Sequence, residues 1–523
     1  MKNHSYERLT GQEHSFLVME NANLPMHVGA VQIFEGGALR TPDGGLDAGL
    51  YKHATESLLH RVPRYRQKLM WVPIQNWPVW VDDPHFNLDY HIRHTALPRP
   101  GGDEQLRRLV ARIGAQQLDR SRPLWETWVV EGLQGDRFAV IMKLHHCMID
   151  GIAGMALTQI TLSPKPDYEI HEAPRFVPHT APSGRELLRD SLVRWASLPF
   201  QVVRGWQHFR RHTAHLAREL RFRAQALADV LRIAVQTVPG TPLNGSIGPH
   251  RRFDWLSMPL GHFKAVSKAL DCTVNDVVLA TVTGAVREFL MSRGVRPDET
   301  DFRVSAPVNV RSKAERGLIG NRASTWFVDL PIGEADPRKR LEAIHQATQD
   351  RKKSKQALGL DMMNTLAEWT PSVLLSLSMH AVSFAVNMHV FGVNMYVTNI
   401  PGPQMPLYLL GAKMLEMYPW APLAPGVGLS VGLISYNGKM CWGFNADSEL
   451  VPDLRKFVAM IDASFQELAQ AIGVDLGGAA AAGPELRYSA GNRKPGRRSA
   501  ERTQRGAPTV QAPAGPESHA TVH

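Results

Sequence analysis

A chain of 523 residues, 44% hydrophobic and 8% aromatic, has enough apolar content for two large folded domains and is not the composition of a disordered protein. Its three cysteines, Cys147, Cys272 and Cys441, are widely spaced and lack metal-ligand spacing, which argues against a disulfide framework and for a reducing cytoplasm. The net charge of +10 arises from ten Arg against four acids between Arg185 and Gln236, and seven Lys or Arg against three acids from Gly477 to His523. The rest is balanced and carries no nucleic-acid module signature, so no nucleic-acid partner is expected.

The opening residues, MKNHSYERLTGQEHSF, are polar and charged and lack the apolar run and cleavage site of a secretory signal. Residues 1–182 read as a first α/β domain. Within it, Trp128–Val130 and Phe138–Leu144 are β-prone, and Gln134, Gly135 and Asp136 between them form a turn, which predicts a hairpin. Ile152–Ile160 reads as a helix. The run HHCMIDG, His145–Gly151, therefore falls at a strand-to-helix junction. Prolines 164, 166, 174, 178 and 182 mark an exposed linker.

Residues 183–245 form a basic helical connector, with Val202, Trp206, Phe209, Leu216, Leu220, Leu227 and Leu231 at helical spacing and a kink at Pro199. Its apolar stripe fits either the protein surface or a lipid surface. A second α/β domain spans residues 246–476. Its predicted helices are Leu260–Leu270 and Val274–Leu290, and its strands Phe302–Val310 and Ser324–Leu330. A hairpin is expected around Asn437, Gly438 and Lys439. No Lys, Arg, Asp or Glu lies between Glu368 and Lys413. Polar residues such as His380, Asn387, His389 and Asn394 interrupt that stretch and Pro401 and Pro403 close it, so it reads as buried core, or as lining for a long apolar substrate, rather than as a membrane span. Residues 477–523, rich in Ala, Gly, Pro and Arg, read as a disordered basic tail.

The chemistry concentrates in HHCMIDG. A neutral imidazole, with an ordinary pKa near ~6.5, can take a proton from a hydroxyl and return it, which makes His146 a candidate general base. Asp150 can orient a ring or hold the turn, and Gly151 permits a sharp one. Three other readings compete: a structural histidine pair, a metal site using His146 and Asp150, and a Cys147 nucleophile. The metal reading lacks further ligands at suitable spacing, and Cys147 faces the opposite side from His146 with no orienting carboxylate. Gly428–Gly432 matches G-x-S-x-G, but a strand follows it instead of a helix, so Ser430 reads as an ordinary strand residue.

Taken together, the ordered motifs make the sequence resemble the bacterial bifunctional wax ester synthase/acyl-CoA:diacylglycerol acyltransferases, within the CoA-dependent acyltransferases. They are PMHVGA (25–30), LDRSRPLWE (118–126), HHCMIDG (145–151), PLNGSIGPHRRF (242–253), NDVVLA (275–280), PVNVRS (307–312), GNRAS (320–324) and TNIPGP (398–403). The resemblance covers roughly residues 8–474, departing at Glu13, where the family often has Asp, and at Thr398, where it often has Ser. It implies an α/β fold of two chloramphenicol acetyltransferase-like domains with a central channel, and acyl transfer from fatty acyl-CoA to a fatty alcohol or diacylglycerol. Acyl-CoA is then a substrate, and neither cofactor nor metal is expected. His146 would be the base, with His145 shaping the site or assisting. Asp150 would be structural, paired with Arg311. Asn275 is the candidate oxyanion donor and Asp276 would fix its turn, unless both simply cap the helix that follows. Leu124 and Trp125 would pack behind the motif or line the alcohol branch. A catalytically silent lipid-surface protein of the same fold is the alternative, against which the intact HHCMIDG weighs.

The expected location is cytoplasmic, on the inner membrane face or on lipid inclusions. Each basic residue at an anionic surface contributes about 1 kcal/mol. Neutralising Arg210, Arg211, Arg218 and Arg221 is therefore expected to lower flotation with anionic liposomes roughly tenfold or more; unchanged flotation would exclude the connector as the contact.

Overall fold

The computed structural model describes residues 6–148, 161–193, 238–309, 323–353 and 392–476. Asp150, Gly151, Arg311, the helix expected at 152–160, most of the basic connector and the tail lie outside them. Three sheets organise the described chain. The smallest contains β1 (Tyr6–Arg8), β4 (Trp77–Asp82) and β3 (Gln67–Val72), in that order.

The first large sheet is built on the predicted hairpin. Strands β6 (Trp125–Leu133) and β7 (Arg137–His145) pair antiparallel, with Asp136 and Gly135 at positive φ in the turn. Strand β2 (His27–Glu35) lies on the other side of β7, in a register that sets His27 opposite His145. β5 (Ile92–Ala96) adds to β6 in parallel. The buried runs of β2 and β7 suit a sheet packed on both faces.

The second large sheet has the order β10 (Ala323–Leu330), β9 (Phe302–Asn309), β11 (Met395–Ile400), β14 (Leu429–Tyr436), β15 (Lys439–Asp447) and β8 (Arg251–Pro259). The expected hairpin joins β14 to β15, with Asn437 at φ 44° and Gly438 at φ 79°, the left-handed pair of a tight hairpin turn. The expected helices are Leu260–Ala269 and Val274–Ser292. The second of these is buried on all sides through its middle, and buries Val277, Val278, Val282, Val286 and Phe289 completely, against the sheet and the helix Leu454–Ile472. Burying each such side chain contributes about 1.5–3 kcal/mol. Within the charge-free stretch, the described part carries β11, with Met395 and Val397 in the core. Among the described residues, no single helix is long and apolar enough to cross a membrane.

Backbone pairing crosses the sequence boundary placed near residue 246. Strand β13 (Ala412–Trp420), with the short β12 (Tyr408–Leu409), joins the first large sheet and pairs antiparallel with β2 from Phe34 to Gly29. The same strand packs on β14 and β15 of the second sheet, so one apolar cluster contains Val31, Phe34 and Ile141 together with Trp255, Tyr418, Trp420 and Tyr436. Glycines make this crossing physically possible. A Cβ on Gly443 would stand 1.8 Å from the Pro419 carbonyl oxygen, and one on Gly29 would meet the Met142 carbonyl at 2.2 Å and the Trp420 ring at 2.5 Å.

Gly443→Ala is therefore expected to destabilise the protein by about 2 kcal/mol or more, because backbone must move to admit the methyl group. Gly261, on an exposed helical face with nothing near its Cβ position, should tolerate alanine or gain up to about 1 kcal/mol. Urea denaturation of the two variants checks this, and equal midpoints would contradict it.

Candidate active site

His145 is the last residue of β7, fully buried, and its backbone N–H donates to the Leu124 carbonyl at 2.9 Å. The next amide, that of His146, donates to the Met26 carbonyl at 2.8 Å, which extends the tie to β2 one residue beyond the ladder. The chain then turns, with the Met148 amide on the His145 carbonyl at 2.9 Å. His146 is left half-buried, its ring stacked on Phe16 with centroids 4.0 Å apart and planes inclined by 13°. Phe16 comes from the helix Gly11–Met19, which is fixed at its start by a reciprocal cap between Thr10 and Glu13.

That helix ends at Glu20, whose carboxylate is almost completely buried. The Glu20 carboxylate accepts from Arg120 at 2.7 and 3.0 Å and from the Met26 amide at 3.2 Å. It lies 3.5 Å from His145 Nε2 and 3.4 Å from His27 Nε2. The Cys147 amide donates to His145 Nδ1 at 3.1 Å, which assigns the His145 ring proton to Nε2, facing Glu20. Burial pushes the Glu20 carboxyl up, but its interactions with His145 and His27 outweigh that and hold it below the ordinary carboxylate range. His27 goes down to about 4, through burial first and then through the Lys143 charge, with Glu20 opposing. The result is an ionised Glu20 carboxylate beside a neutral His27 imidazole, both buried.

A second buried ion pair lies along the same strand. Lys143 Nζ, fully buried, donates to Glu126 at 2.7 Å and to the Ile113 carbonyl at 3.0 Å, which ties β7 to the end of the helix Asp103–Ala115. Burial lowers the Lys143 ammonium, with Glu126 opposing.

The other sequence candidates separate into groups. Leu124 is buried with Cys147 in a small apolar cluster behind the motif. Trp125 donates from Nε1 to the Tyr65 carbonyl at 2.8 Å, stacks on His91 and, with Tyr65 and Met142, lines a cavity of about 460 Å³. The Cys147 thiol is buried and burial pushes it well above its usual value, which disfavours a thiolate nucleophile. Ser430 is buried in β14 with its hydroxyl on the Ala421 carbonyl at 2.9 Å. Asn275 is half-buried at the start of the helix Val274–Ser292, and its Oδ1 accepts from Asn399 at 3.4 Å. Asp276 turns inward. It closes a reciprocal cap with Thr273 and accepts from His345 Nδ1 at 2.8 Å and Thr348 Oγ1 at 2.7 Å, so it fixes the turn that carries Asn275. Among the described residues, no three His, Cys, Asp or Glu side chains are grouped to hold a metal ion.

Sequence reasoning missed Glu20, Arg120, His27 and Phe16. Arg120 and His27 stand inside runs already singled out, LDRSRPLWE and PMHVGA. Glu20 has no local signal, since its partners are 7, 100 and 125 positions away.

Comparison with known proteins places this geometry. The profile of the wax ester synthase/diacylglycerol acyltransferase catalytic domain matches residues 9–278, and that of the WS/DGAT C-terminal domain matches residues 319–469. A putative diacylglycerol O-acyltransferase of Mycobacterium tuberculosis (strain CDC 1551) is 33% identical over 86% of this chain and 87% of its own. The probable diacylglycerol O-acyltransferase tgs1 of strain H37Rv is 32% identical over 85% of this chain and 92% of its own. Among solved structures, the wax ester synthase/diacylglycerol acyltransferase of Marinobacter aquaeolei VT8 superposes with a TM-score of 0.62 at 25% identity, covering 89% of this chain and 100% of that one. The starter condensation domain of rhizomide synthetase shares the fold at 12% identity, with a TM-score of 0.55 over 90% of this chain and 95% of its own. The expected acyltransferase-like α/β fold is thereby found, and the chain belongs to the wax ester synthase/diacylglycerol acyltransferase family of acyl-CoA-dependent O-acyltransferases.

Proposed function

We propose that this protein transfers a long-chain fatty acyl group from acyl-CoA to the hydroxyl of a fatty alcohol, a diacylglycerol or both, with His146 as general base and no acyl-enzyme intermediate. The observation that carries this reading is the setting of His146: a half-buried imidazole held by its backbone on Met26 and by its ring on Phe16. Both side chains considered as nucleophiles, Cys147 and Ser430, are buried and engaged in packing or strand contacts. A thioester is already an activated donor, so direct attack suffices. The acceptor oxygen forms a bond to the thioester carbonyl carbon as His146 takes its proton. The C–S bond then breaks, and the proton passes to the departing thiolate, giving ester and free CoA.

In this reading His145 shapes the site: its Nε2 proton is directed to ionised Glu20, which fixes the turn from which His146 projects. Asn275 is the proposed donor to the tetrahedral oxyanion, on a helix start held by Asp276. Asp150 paired with Arg311 remains a structural proposal. The peripheral location at a membrane or lipid inclusion rests on the basic connector and the apolar products.

Incubation with palmitoyl-CoA and hexadecanol or dioleoylglycerol, following CoA release, tests the reading. His146→Ala is expected to lower kcat about 10²–10⁴-fold, the range of a lost general base, while Ser430→Ala stays close to the parent. Full activity in His146→Ala would refute the mechanism. Acid should weaken the site's framework in a defined window. Unfolded histidine binds a proton at its ordinary 6.5, but His27 and His14, the latter buried on the helix that carries Phe16, do so only near 4 in the folded protein, so the unfolded chain holds more protons between those values. Stability is then expected to fall by roughly 2–3 kcal/mol per histidine as pH drops from 6.5 towards 4. Glu20, depressed below its ordinary 4.5, adds a loss below that pH which Glu20→Gln removes. Urea midpoints measured from pH 7 to 4 check this, and a flat profile would contradict it.

A further inference from the structure

A groove of about 770 Å³ runs along the helix Asp103–Ala115, between it, the start of β8 and the first turn of the helix Leu454–Ile472. Six arginines line it, Arg107, Arg108, Arg112, Arg251, Arg252 and Arg455, against the three acids Glu104, Asp254 and Asp453. Four of the six are engaged. Arg107 pairs with Asp254 at 2.6 Å, Arg108 with Glu104 at 3.0 Å and Arg455 with Glu104 at 3.1 Å, while Arg251 donates to the Gly248 and His250 carbonyls. Arg112 and Arg252 are exposed and have no carboxylate partner among the described residues. The groove thus offers two uncommitted guanidinium groups in a concave wall whose other charges are held in place.

Its position relates it to the histidines. At one end the lining includes Gln116, and two residues on the Leu118 amide lies 3.4 Å from His27 Nε2. The opposite wall reaches the same place, because Arg251 donates to the Asn23 carbonyl in the loop between Glu20 and Met26. A ligand lying in the groove would have its charged end on the arginines and its other end directed to the loop that carries Glu20 and Met26.

We propose that this groove receives the phosphate-bearing end of the acyl donor, the 3′-phosphorylated adenosine diphosphate of CoA, with Arg112 and Arg252 as phosphate ligands. The inference rests on the reading that the donor is acyl-CoA. Guanidinium groups suit phosphate because they offer paired N–H donors to its oxygens, and a partly walled groove screens them less than an open surface. The acyl chain and thioester, which carry no charge, gain nothing from these arginines.

The test uses the full chain and the double variant Arg112→Ala/Arg252→Ala. Both positions are exposed, so the fold should survive, and Arg112→Lys/Arg252→Lys serves as the charge-retaining control. The Ala variant is expected to raise KM for palmitoyl-CoA about tenfold, as the loss of two moderately exposed charge-assisted contacts would. The expected kcat is unchanged, as are the kinetics with the palmitoyl thioester of N-acetylcysteamine, which has no phosphate. The Lys variant should recover most of the loss. Calorimetric binding of CoA itself should weaken in parallel. An unchanged KM and CoA affinity would overturn the proposal, as would loss of binding to phosphatidylglycerol vesicles with CoA affinity intact, which would make the groove a lipid-headgroup contact. If CoA binding weakens as expected but no hydroxyl acceptor is acylated, the groove stands and the acyltransferase reading fails. If acyl transfer proceeds with CoA affinity unaffected, the reverse holds.

Discussion

The arrangement depends on one close approach, that of the Pro419 carbonyl to the bare backbone of Gly443. This contact lets β13 lie flat on the second large sheet while its own edge continues the first. Through β13 the order passes to β2, from β2 to β7, and from β7 to the two histidines. Because a close-packed interior transmits a shift instead of absorbing it, the spacing between the sheets and the position of the motif are set together. The apolar cluster shared by the two sheets contributes the larger energy, but the glycines decide whether that cluster can close.

Within this frame the site is assembled from buried charge, which is costly unless it is paired. Taking Glu20 out of water carries a penalty of several kcal/mol, offset by Arg120, the Met26 amide and the two imidazoles around it. Lys143 and Glu126 repeat the pattern farther along β7. Such pairs add little net stability compared with apolar residues of the same size. What they supply is direction: each group has one set of partners in one geometry, so the end of β7 has a single arrangement that satisfies it.

Much of the fold was legible in local pattern. The hairpin at Asn437 and Gly438, the helices after Pro259 and Thr273, and the strand leading into HHCMIDG follow from turn residues, capping and apolar periodicity, all short-range signals. Ser430 was correctly set aside, because a strand followed it. The sharing of β13 was not legible, since nothing in Ala412–Trp420 specifies whether it pairs with β14 or with a strand 380 to 391 positions earlier. Glu20 was missed for a related reason. A glutamate at the end of a short helix has the usual look of a solvated residue, and only Arg120 and His145, brought in by tertiary structure, make it part of the site. Asp276 was readable as fixing its turn or capping the following helix, yet its ties to His345 and Thr348 come from a different helix.

The long-range pairing of β13 with β2 also bears on the order in which the protein can be made. Synthesis proceeds from the N-terminus, so the motif strand and β2 leave the ribosome long before residues 412–420 exist. During that interval β2 is an open edge: an apolar strand with unpaired amides and carbonyls, the kind of surface that recruits other chains. The first half can lay down its hairpin early but cannot seal its sheet until residues 412–420 have been made. The nascent protein therefore has an extended period of exposure, and slowing elongation lengthens it, so yield in a cell depends on translation rate and chaperone supply as well as on the stability of the finished fold.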